Sequence, residues 1–273
     1  MTALPPPAVL AAFDARAQPV PLPGGGGRTV AAGSLVLKSI DDPVEAEWIA
    51  EVVRDLDGGD AIRIARPVAS HDGRWVVGSW TAWQRVPGEH VTGRWLDVLQ
   101  VSDQLSSALA GVPEPPFLAK RTHPWAVGDR VAWGAGLPGG LPPDFAELLA
   151  SVLALRQPVD AGPTQPIHGD LCGNVLFADG LPPAVIDFSP FFRPAGYAKA
   201  IVAFDAIAWE GAGGELLDRV GTRTTRKQLL VRAAIFRLTA GALLAIDDPA
   251  RLGGDRLAPY ERAVRLIDAL PEE

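Results

Sequence analysis

The sequence predicts an α+β protein with a small strand-rich N-terminal lobe, residues 1–88, and a larger helical C-terminal lobe, residues 89–273. Three observations lead to this fold class. Short apolar runs bounded by Gly, Pro and Asp, the pattern of strands, dominate the N-terminal part. Beyond Gly88, apolar residues recur at spacings of three and four, the pattern of helices. A single strand pair with polar ends, within residues 175–186, interrupts the helical part.

The N-terminal lobe is predicted to place its strands around one amphipathic helix. This helix begins at Asp41-Asp42-Pro43, because proline and acidic side chains favour a first helical turn, and it runs to about residue 56. Its expected inward face carries Trp48, Ile49, Val52, Val53 and Leu56. The other predicted elements are a helix over 7–16, strands at 28–30, 34–38, 62–65 and 75–80 with a hairpin turn at Asp72-Gly73, and a crossing segment over 80–88.

The C-terminal lobe is predicted to be helical around the polar strand pair. The two strands of that pair are expected at 175–177 and 184–186. Helices are expected at 96–109, 145–156, 197–209, 226–246 and 259–270. Strands followed by helices in this order give a two-lobe α+β layout.

Composition and sequence patterns exclude several classes of protein. The net charge of −7 argues against nucleic acid as a partner, because phosphate binding needs clustered Lys and Arg. No run of 18 apolar residues is present, so no membrane span is expected. Cys172 is the only cysteine, which excludes an internal disulfide and a cysteine-based zinc site. The N-terminal stretch lacks the pattern of a secretory signal, so we expect a cytoplasmic protein.

The chemistry-bearing residues cluster around the polar strand pair. Asp170, Asn174 and Asp187 flank its two strands and are expected to lie close together. Asp170 is a candidate general base for a hydroxyl group, and His168 is expected to brace the same loop. Asn174 and Asp187 supply a neutral and an anionic oxygen, which suits Mg²⁺ bound chiefly by substrate phosphates. Either triplet alone, His168-Gly169-Asp170 or Ile186-Asp187-Phe188, is also compatible with an ordinary loop that follows a strand and has no role in catalysis.

Together these residues resemble the aminoglycoside phosphotransferase and choline kinase-like branch of the protein-kinase-like fold. His168-Gly169-Asp170-Leu171 with Asn174-Val175-Leu176 resembles the catalytic loop of that family, and Ile186-Asp187-Phe188 resembles its metal-binding segment, with Ser189 in place of glycine. The resemblance covers nearly the whole chain and is nearest to an actinobacterial group. It implies a protein-kinase-like fold and an ATP- or GTP-dependent phosphotransferase that uses Mg²⁺.

One departure from the kinase pattern lies in the catalytic loop. Kinases usually place four residues between the catalytic Asp and the metal-binding Asn. Here only Leu171, Cys172 and Gly173 separate Asp170 from Asn174. Gly173 is expected to allow the tighter turn that this shorter loop needs.

The resemblance also implies the nucleotide-binding residues. Lys38 corresponds to the strand lysine that contacts the α- and β-phosphates, with Glu45 as its helix partner and Glu47 as the alternative. The glycine run Gly24, Gly25, Gly26 and Gly27 is expected to approach the phosphates, although flexible linkers have the same composition. Ala82, Trp83 and Gln84 are expected to contact the adenine edge as the interlobe hinge, and Asp205 to support the catalytic loop.

The leading hypothesis is therefore a kinase for a hydroxyl group of a small molecule, with a nucleotide triphosphate and that acceptor as its partners. The protein is expected to be a monomer or a weak dimer. Glu210 belongs to an acidic group that either binds a cationic acceptor or forms a solvated helix end. One alternative is a nucleotide-binding pseudokinase with little or no activity, which the short loop would explain. A metal-dependent hydrolase is the other, but it leaves Lys38 and the glycine run without a role.

Overall fold

The computed structural model describes residues 4–23, 27–248 and 255–271. Its helices are α1 (Pro7–Ala12), α2 (Pro43–Asp55), α3 (Trp95–Ala108), α4 (Pro124–Ala132), α5 (Pro143–Ala154), α6 (Gly196–Trp209), α7 (Arg226–Asp247) and α8 (Ala258–Asp268). Its strands are β1 (Val20–Pro21), β2 (Thr29–Ala32), β3 (Leu35–Ser39), β4 (Arg63–Ile64), β5 (Pro67–Val68), β6 (Val76–Val77), β7 (Trp80–Gln84), β8 (Thr164–His168), β9 (Val175–Ala178), β10 (Leu181–Val185) and β11 (Pro190–Pro194). The predicted α+β class, strand-rich first and helical later, is confirmed.

The chain forms two compact units that interleave along the sequence. The N-terminal unit comprises the described part of Met1–His90 together with Asn174–Phe188, and the C-terminal unit comprises Val91–Gly173 with the described part of Ser189–Glu273. The β9–β10 hairpin thus groups with the N-terminal unit, whereas the sequence division at residue 88 placed it in the C-terminal lobe. The physical reason is strand pairing, because β10 lies parallel to β4 of the N-terminal unit.

The main sheet of the N-terminal unit is antiparallel. Its strand order is β1-β2-β3-β7-β5, and β6 pairs with β7 off this path. The tight turn between β2 and β3 is made by Gly33, whose φ of 65° is strained for any residue with a side chain. Val9, Phe13, Val30, Leu37 and Trp80 are among the residues that form the buried core beneath this sheet.

A second sheet of this unit contains the polar hairpin. Its order is β4-β10-β9, with β9 and β10 antiparallel and Val175 opposite Val185. The chain segment after β7 joins the hairpin through a bridge, in which Glu89 and Phe177 exchange main-chain hydrogen bonds of 3.0 and 2.8 Å. The hairpin is therefore held by main-chain bonds on more than one side.

Helix α2 begins where the sequence predicts. The side chain of Asp42 caps it by accepting hydrogen bonds from the amides of Val44 and Glu45. Its buried residues are Ala46, Ala50 and Val53. Of the predicted inward face, Val53 and Leu56 are buried, whereas Trp48, Ile49 and Val52 are only partly buried.

The C-terminal unit is built around α6 and α7, whose inward residues, such as Phe204 and Phe236, are almost fully buried. Helix α4 packs tightly on α7, since a Cβ at Gly128 would lie only 2.5 Å from the carbonyl oxygen of Phe236. By length and apolarity alone, residues 226–246 could cross a membrane. However, 78% of the apolar 18-residue window within this segment is buried, as is usual in the core helix of a globular protein. A two-stranded antiparallel pair, β8 with β11, completes the unit.

Candidate active site

In the N-terminal unit, two predicted site residues form an ion pair. The ammonium group of Lys38 on β3 donates a hydrogen bond to the carboxylate of Asp187, and each side chain is 33% exposed. Asp187 follows β10 after one intervening residue, Ile186, and has a φ of 50°, a left-handed conformation that aspartate tolerates better than most residues. The fold thus places a cation and an anion with solvent access at the end of the hairpin.

In the structure the ammonium group of Lys38 pairs with the carboxylate of Asp187. The predicted pairing of Lys38 with Glu45 or Glu47 of α2 stays a prediction. Glu45 lies in the first turn of α2, where the helix dipole favours a carboxylate, and Glu47 is exposed.

Asn174 lies beside Asp187 at the same end of the hairpin. Its carbonyl oxygen accepts a hydrogen bond of 3.0 Å from the amide of Ile186, the residue before Asp187. Gly173, immediately before it, has a φ of 84°, which confirms the expected tight turn. One amide oxygen and one carboxylate are hard donors that fit Mg²⁺ shared with substrate phosphates. In the described part of the chain, no cluster of three or more His, Cys, Asp or Glu forms a metal site by itself.

The other predicted nucleotide contacts stay predictions, and the structure shows only how their main chain is arranged. Ala82 and Trp83 lie inside β7, which pairs with β3 on one side and with β5 on the other, so their main chain serves the sheet. The amide of Gln84 is also occupied, because it donates to the carbonyl of Arg66. Gly24, Gly25 and Gly26 lie outside the described residues, while Gly27 has a φ of 74° just before β2.

In the C-terminal unit, the catalytic loop is braced from several directions. The buried ring of His168 accepts a hydrogen bond of 3.1 Å through Nδ1 from the amide of Asp170. The amide of Gly169 donates to the carbonyl of Ser189 over 2.9 Å. These contacts fix the loop at the end of β8, and they give His168 the bracing position that the sequence suggested. The expected proximity of Asp170 to Asn174 and Asp187 stays a prediction, because they belong to different units.

Arg237, which the sequence analysis did not identify, contacts the carboxylate of Asp170. Its Nη2 donates to Asp170 Oδ1 over 3.0 Å and to the carbonyl of Gly169 over 3.3 Å. The same guanidinium group forms a two-point ion pair with Asp205, in which Nε lies 2.8 Å from Oδ1 and Nη2 donates to Oδ2. Asp205 therefore acts on the loop through an arginine.

Burial dominates the electrostatics of this cluster. It raises the pKa of Asp205 to about 6, although the charge of Arg237 acts in the opposite direction. Burial also opposes the charge on Arg237, but the carboxylates of Asp205 and Asp170 outweigh it and raise the arginine pKa above its ordinary value. Arg237 is a permanent cation, and Asp205 is ionised at neutral pH.

A cavity of about 380 Å³ opens beside Asp170 within the C-terminal unit. Its charged lining consists of Asp170, Asp205, Glu210 and Arg237, and its aromatic lining consists of Trp125, Trp209 and Tyr260. Glu210 is held in place by a 2.6 Å hydrogen bond from the indole of Trp95. Glu210 therefore lines this cavity while it also forms the C-terminal end of α6. Cys172 also lines the cavity, where burial raises the pKa of its thiol and makes it a poor nucleophile.

Sequence comparison gives the family. Residues 27–191, which include Lys38, the catalytic loop and Asp187, match the sequence profile described as the phosphotransferase enzyme family, APH. The match covers more than half of the chain. The chain belongs to this phosphotransferase enzyme family.

Solved structures share the fold of this family member. An aminoglycoside phosphotransferase from Alicyclobacillus acidocaldarius aligns with a TM-score of 0.59 at 17% identity, over 99% of this chain and 95% of that one. A thermostable aminoglycoside phosphotransferase in ternary complex with ADP and hygromycin B gives 0.59 at 15% identity, over 96% and 97%. The choline kinase LicA from Streptococcus pneumoniae gives 0.58 at 11% identity, over 96% and 98%. These likenesses establish the kinase-like fold. No curated protein sequence matches the chain.

The catalytic loop of this phosphotransferase-family chain depends on a glycine. A Cβ at Gly169 would lie 2.3 Å from the ring of Phe191, which is itself buried and packs against Phe236 at 5.5 Å. We expect Gly169→Ala to lower the free energy of unfolding by about 1–3 kcal/mol, because the added methyl group must displace a ring that is packed in the core. Urea denaturation measures this change.

The control is Gly136→Ala, since a Cβ there meets no atom within 4 Å. It should alter the unfolding free energy by less than about 0.5 kcal/mol. The double variant Gly169→Ala with Phe191→Leu should recover part of the loss. Equal stability of the two alanine variants would contradict the close contact.

Proposed function

We propose that the protein transfers the γ-phosphoryl group of an adenine nucleotide to a hydroxyl group of a small molecule. The observation that carries this proposal is the carboxylate of Asp170, which lines a cavity of ligand size while the loop that bears it is fixed by His168 and Arg237. Membership of a phosphotransferase family supports the reaction class.

The site residues divide the chemistry as follows. Asp170 orients the acceptor hydroxyl and accepts its proton as the bond to phosphorus forms. Lys38 holds the nucleotide phosphates. Asp187 and Asn174 would hold Mg²⁺, which supplies neutralising charge to the phosphates when bound. Most of the rate acceleration in such a reaction comes from alignment and charge stabilisation, which is what a rigid loop and fixed charges provide.

Adenine nucleotides are the donors to test first. One structural neighbour is a complex with ADP and hygromycin B, and another, a spectinomycin phosphotransferase, is a complex with ADP and spectinomycin. GTP is the comparison donor. We expect Mg-ATP to raise the melting temperature, whereas ATP with EDTA should have a smaller effect, because Asp187 and Asn174 then lose the ion that they share with the phosphates.

The cavity indicates the acceptor class. Its lining holds three carboxylates and one guanidinium group, so it favours a ligand with neutral or positive charge. Trp125 and Trp209 line the cavity and are 41% and 49% exposed. Their indole rings are therefore accessible to an apolar or cationic part of the ligand. A compact amino alcohol or polyol fits this lining better than an anionic acceptor.

A nucleotide-consumption screen tests the proposal. Wild-type protein with Mg-ATP is assayed for acceptor-dependent ADP formation against alcohols grouped as cationic, neutral and anionic, with Asp170→Asn in parallel. We expect cationic or neutral acceptors that are turned over by the wild type and not by the variant. Mg-ATP binding without ADP formation across the panel would favour the pseudokinase alternative. Phosphoester hydrolysis without nucleotide would favour the hydrolase.

Glu210→Gln should separate acceptor binding from chemistry. The glutamine keeps the shape and can still accept the hydrogen bond from Trp95, but it removes one negative charge from the cavity. We expect the KM of a cationic acceptor to rise about tenfold while kcat changes little, because the charge acts on ground state and transition state alike. Steady-state kinetics measures both. Glu215→Gln, on an exposed helical turn, is the matched control, and equal effects of the two changes would contradict the assignment.

A further inference from the structure

One buried guanidinium group links the catalytic loop to two core helices. Arg237 lies on α7, and its side chain is 7% exposed. It contacts Asp170 and the carbonyl of Gly169 on the loop, and it contacts both carboxylate oxygens of Asp205 on α6. Its guanidinium group also lies 4.8 Å from the ring centroid of Phe236. The group is therefore fixed in position before any ligand arrives.

A buried guanidinium group such as that of Arg237 is stable only when an anion compensates its charge. Moving a charge from water into a protein core costs several kcal/mol unless a well-oriented partner and hydrogen bonds compensate it. Asp205 meets this need through two parallel bonds, which also fix the plane of the guanidinium group. The bond to Asp170 comes from the same Nη2 atom, so the orientation set by Asp205 is transmitted to the Asp170 carboxylate.

We propose that Arg237 is the positioning residue that holds the Asp170 carboxylate in its reactive orientation, with Asp205 fixing Arg237. This inference rests on the proposed function of Asp170 as the general base. A carboxylate has about four acceptor positions on its two oxygens, so a bond to Arg237 at Oδ1 orients the group and leaves it able to take up a proton. The bond to the Gly169 carbonyl adds a second hold on the same loop.

Arg232 provides a matched control on the same helix. It is buried to the same degree as Arg237, with both residues 6% exposed, and it also lies over an aromatic ring, that of Trp133. Its hydrogen bonds go to Gln228 and to the carbonyl of Gln157, neither of which belongs to the catalytic loop. Replacing either arginine by lysine perturbs the core, but only Arg237→Lys disturbs Asp170.

The experiment compares Arg237→Lys, Asp205→Asn and Arg232→Lys with the wild type, using an acceptor found in the screen. We expect Arg237→Lys to lower kcat about 100-fold, because a lysine cannot reach Asp170 and both oxygens of Asp205 together, and small misplacements at a reacting centre cost this much. The KM values for nucleotide and acceptor should stay within threefold. Asp205→Asn should lower kcat by less, and Arg232→Lys by less than threefold even where its melting temperature falls.

The outcomes separate this inference from the proposed function. If the wild type turns over and Arg237→Lys keeps kcat within threefold, or if Arg232→Lys loses as much, the positioning role is overturned and the function stands. If the wild type has no activity on any acceptor, crystal structures of wild type and Arg237→Lys decide the matter without turnover. A displaced Asp170 carboxylate then supports the positioning role, and an unmoved one overturns it. Should Arg237→Lys fail to fold, Asp205→Asn serves in both measurements.

Discussion

Asp170→Asn is expected to lower kcat for phosphoryl transfer by about three orders of magnitude while leaving the dissociation constant for Mg-ATP within twofold. The amide removes the proton acceptor but keeps the shape of the side chain, and general-base catalysis typically contributes 10²–10⁴-fold. Nucleotide binding should survive because Lys38, Asn174 and Asp187 belong to the other unit of the chain. Single-turnover kinetics with ADP detection measures the first effect, and titration calorimetry measures the second.

Two comparisons make this result specific to the carboxylate. Asp160→Asn, an identical change at an exposed loop residue of the same unit, should leave kcat unchanged. The melting temperature of Asp170→Asn should stay near that of the wild type, since Arg237 keeps its two bonds to Asp205. Full activity of Asp170→Asn would remove Asp170 from the mechanism and with it the proposed reaction.

Local patterns were enough to predict most of the fold. The helix start at Asp42, the hairpin around residues 175–186 and the apolar periodicity of α3, α5, α6, α7 and α8 are all set by neighbours in the sequence. The predicted tight turn at Gly173 has the same origin, because a positive φ is a property of one residue. Predictions of this kind are correct where no contact with a distant part of the chain opposes the local preference.

The elements that the sequence did not reveal depend on distant contacts. Helix α4 is short, and its buried residues include Gly128 and Asp129, which interrupt the apolar pattern. Asp129 is stable in the core because Arg193 pairs with it at 3.0 and 2.5 Å. Strands β8 and β11 contain Pro166, Pro190 and Pro194, which argue against strands until the two segments are seen to pair. Pairing across the chain overrides the local preference in both cases.

The site residues, like the elements of the fold, divide into those that local sequence reveals and those that depend on distant contacts. The two motifs around Asp170 and Asp187 are short and could be recognised in the sequence, whereas the partners that orient them could not. Arg237 is 67 residues from Asp170 and sits in an apolar helix without any motif around it. The pair of Lys38 with Asp187 spans 149 residues, whereas the resemblance pointed to Glu45 as the partner of Lys38. A buried arginine in an apolar helix is the signal that could have drawn attention to Arg237, because such a charge needs a partner.

The pair of Lys38 and Asp187 leads to the second large effect. Asp187→Asn removes the anionic oxygen proposed for Mg²⁺, and it leaves Lys38 without its partner carboxylate. We expect kcat/KM for Mg-ATP to fall at least about 100-fold, because loss of a metal ligand weakens both nucleotide binding and charge neutralisation. The free energy of unfolding should change little, since an ion pair with this much solvent access contributes only about 0–1 kcal/mol. Steady-state kinetics at increasing Mg²⁺ concentration, together with thermal unfolding, measures both quantities.

Asp179→Asn on the same hairpin is the matched control, because Asp179 is an exposed aspartate and the substitution is identical. Its kcat/KM and its Mg²⁺ dependence should equal those of the wild type. Lys38→Met tests the other half of the pair and should weaken Mg-ATP binding without shifting the Mg²⁺ concentration needed for half-maximal rate, since lysine contacts phosphate and not the metal. A double variant of Lys38 and Asp187 should lose less than the product of the two single losses, because both residues act on the same phosphates. If Asp187→Asn instead keeps the Mg²⁺ dependence of the wild type, the metal is held elsewhere, and the pair with Lys38 is a structural contact of the hairpin.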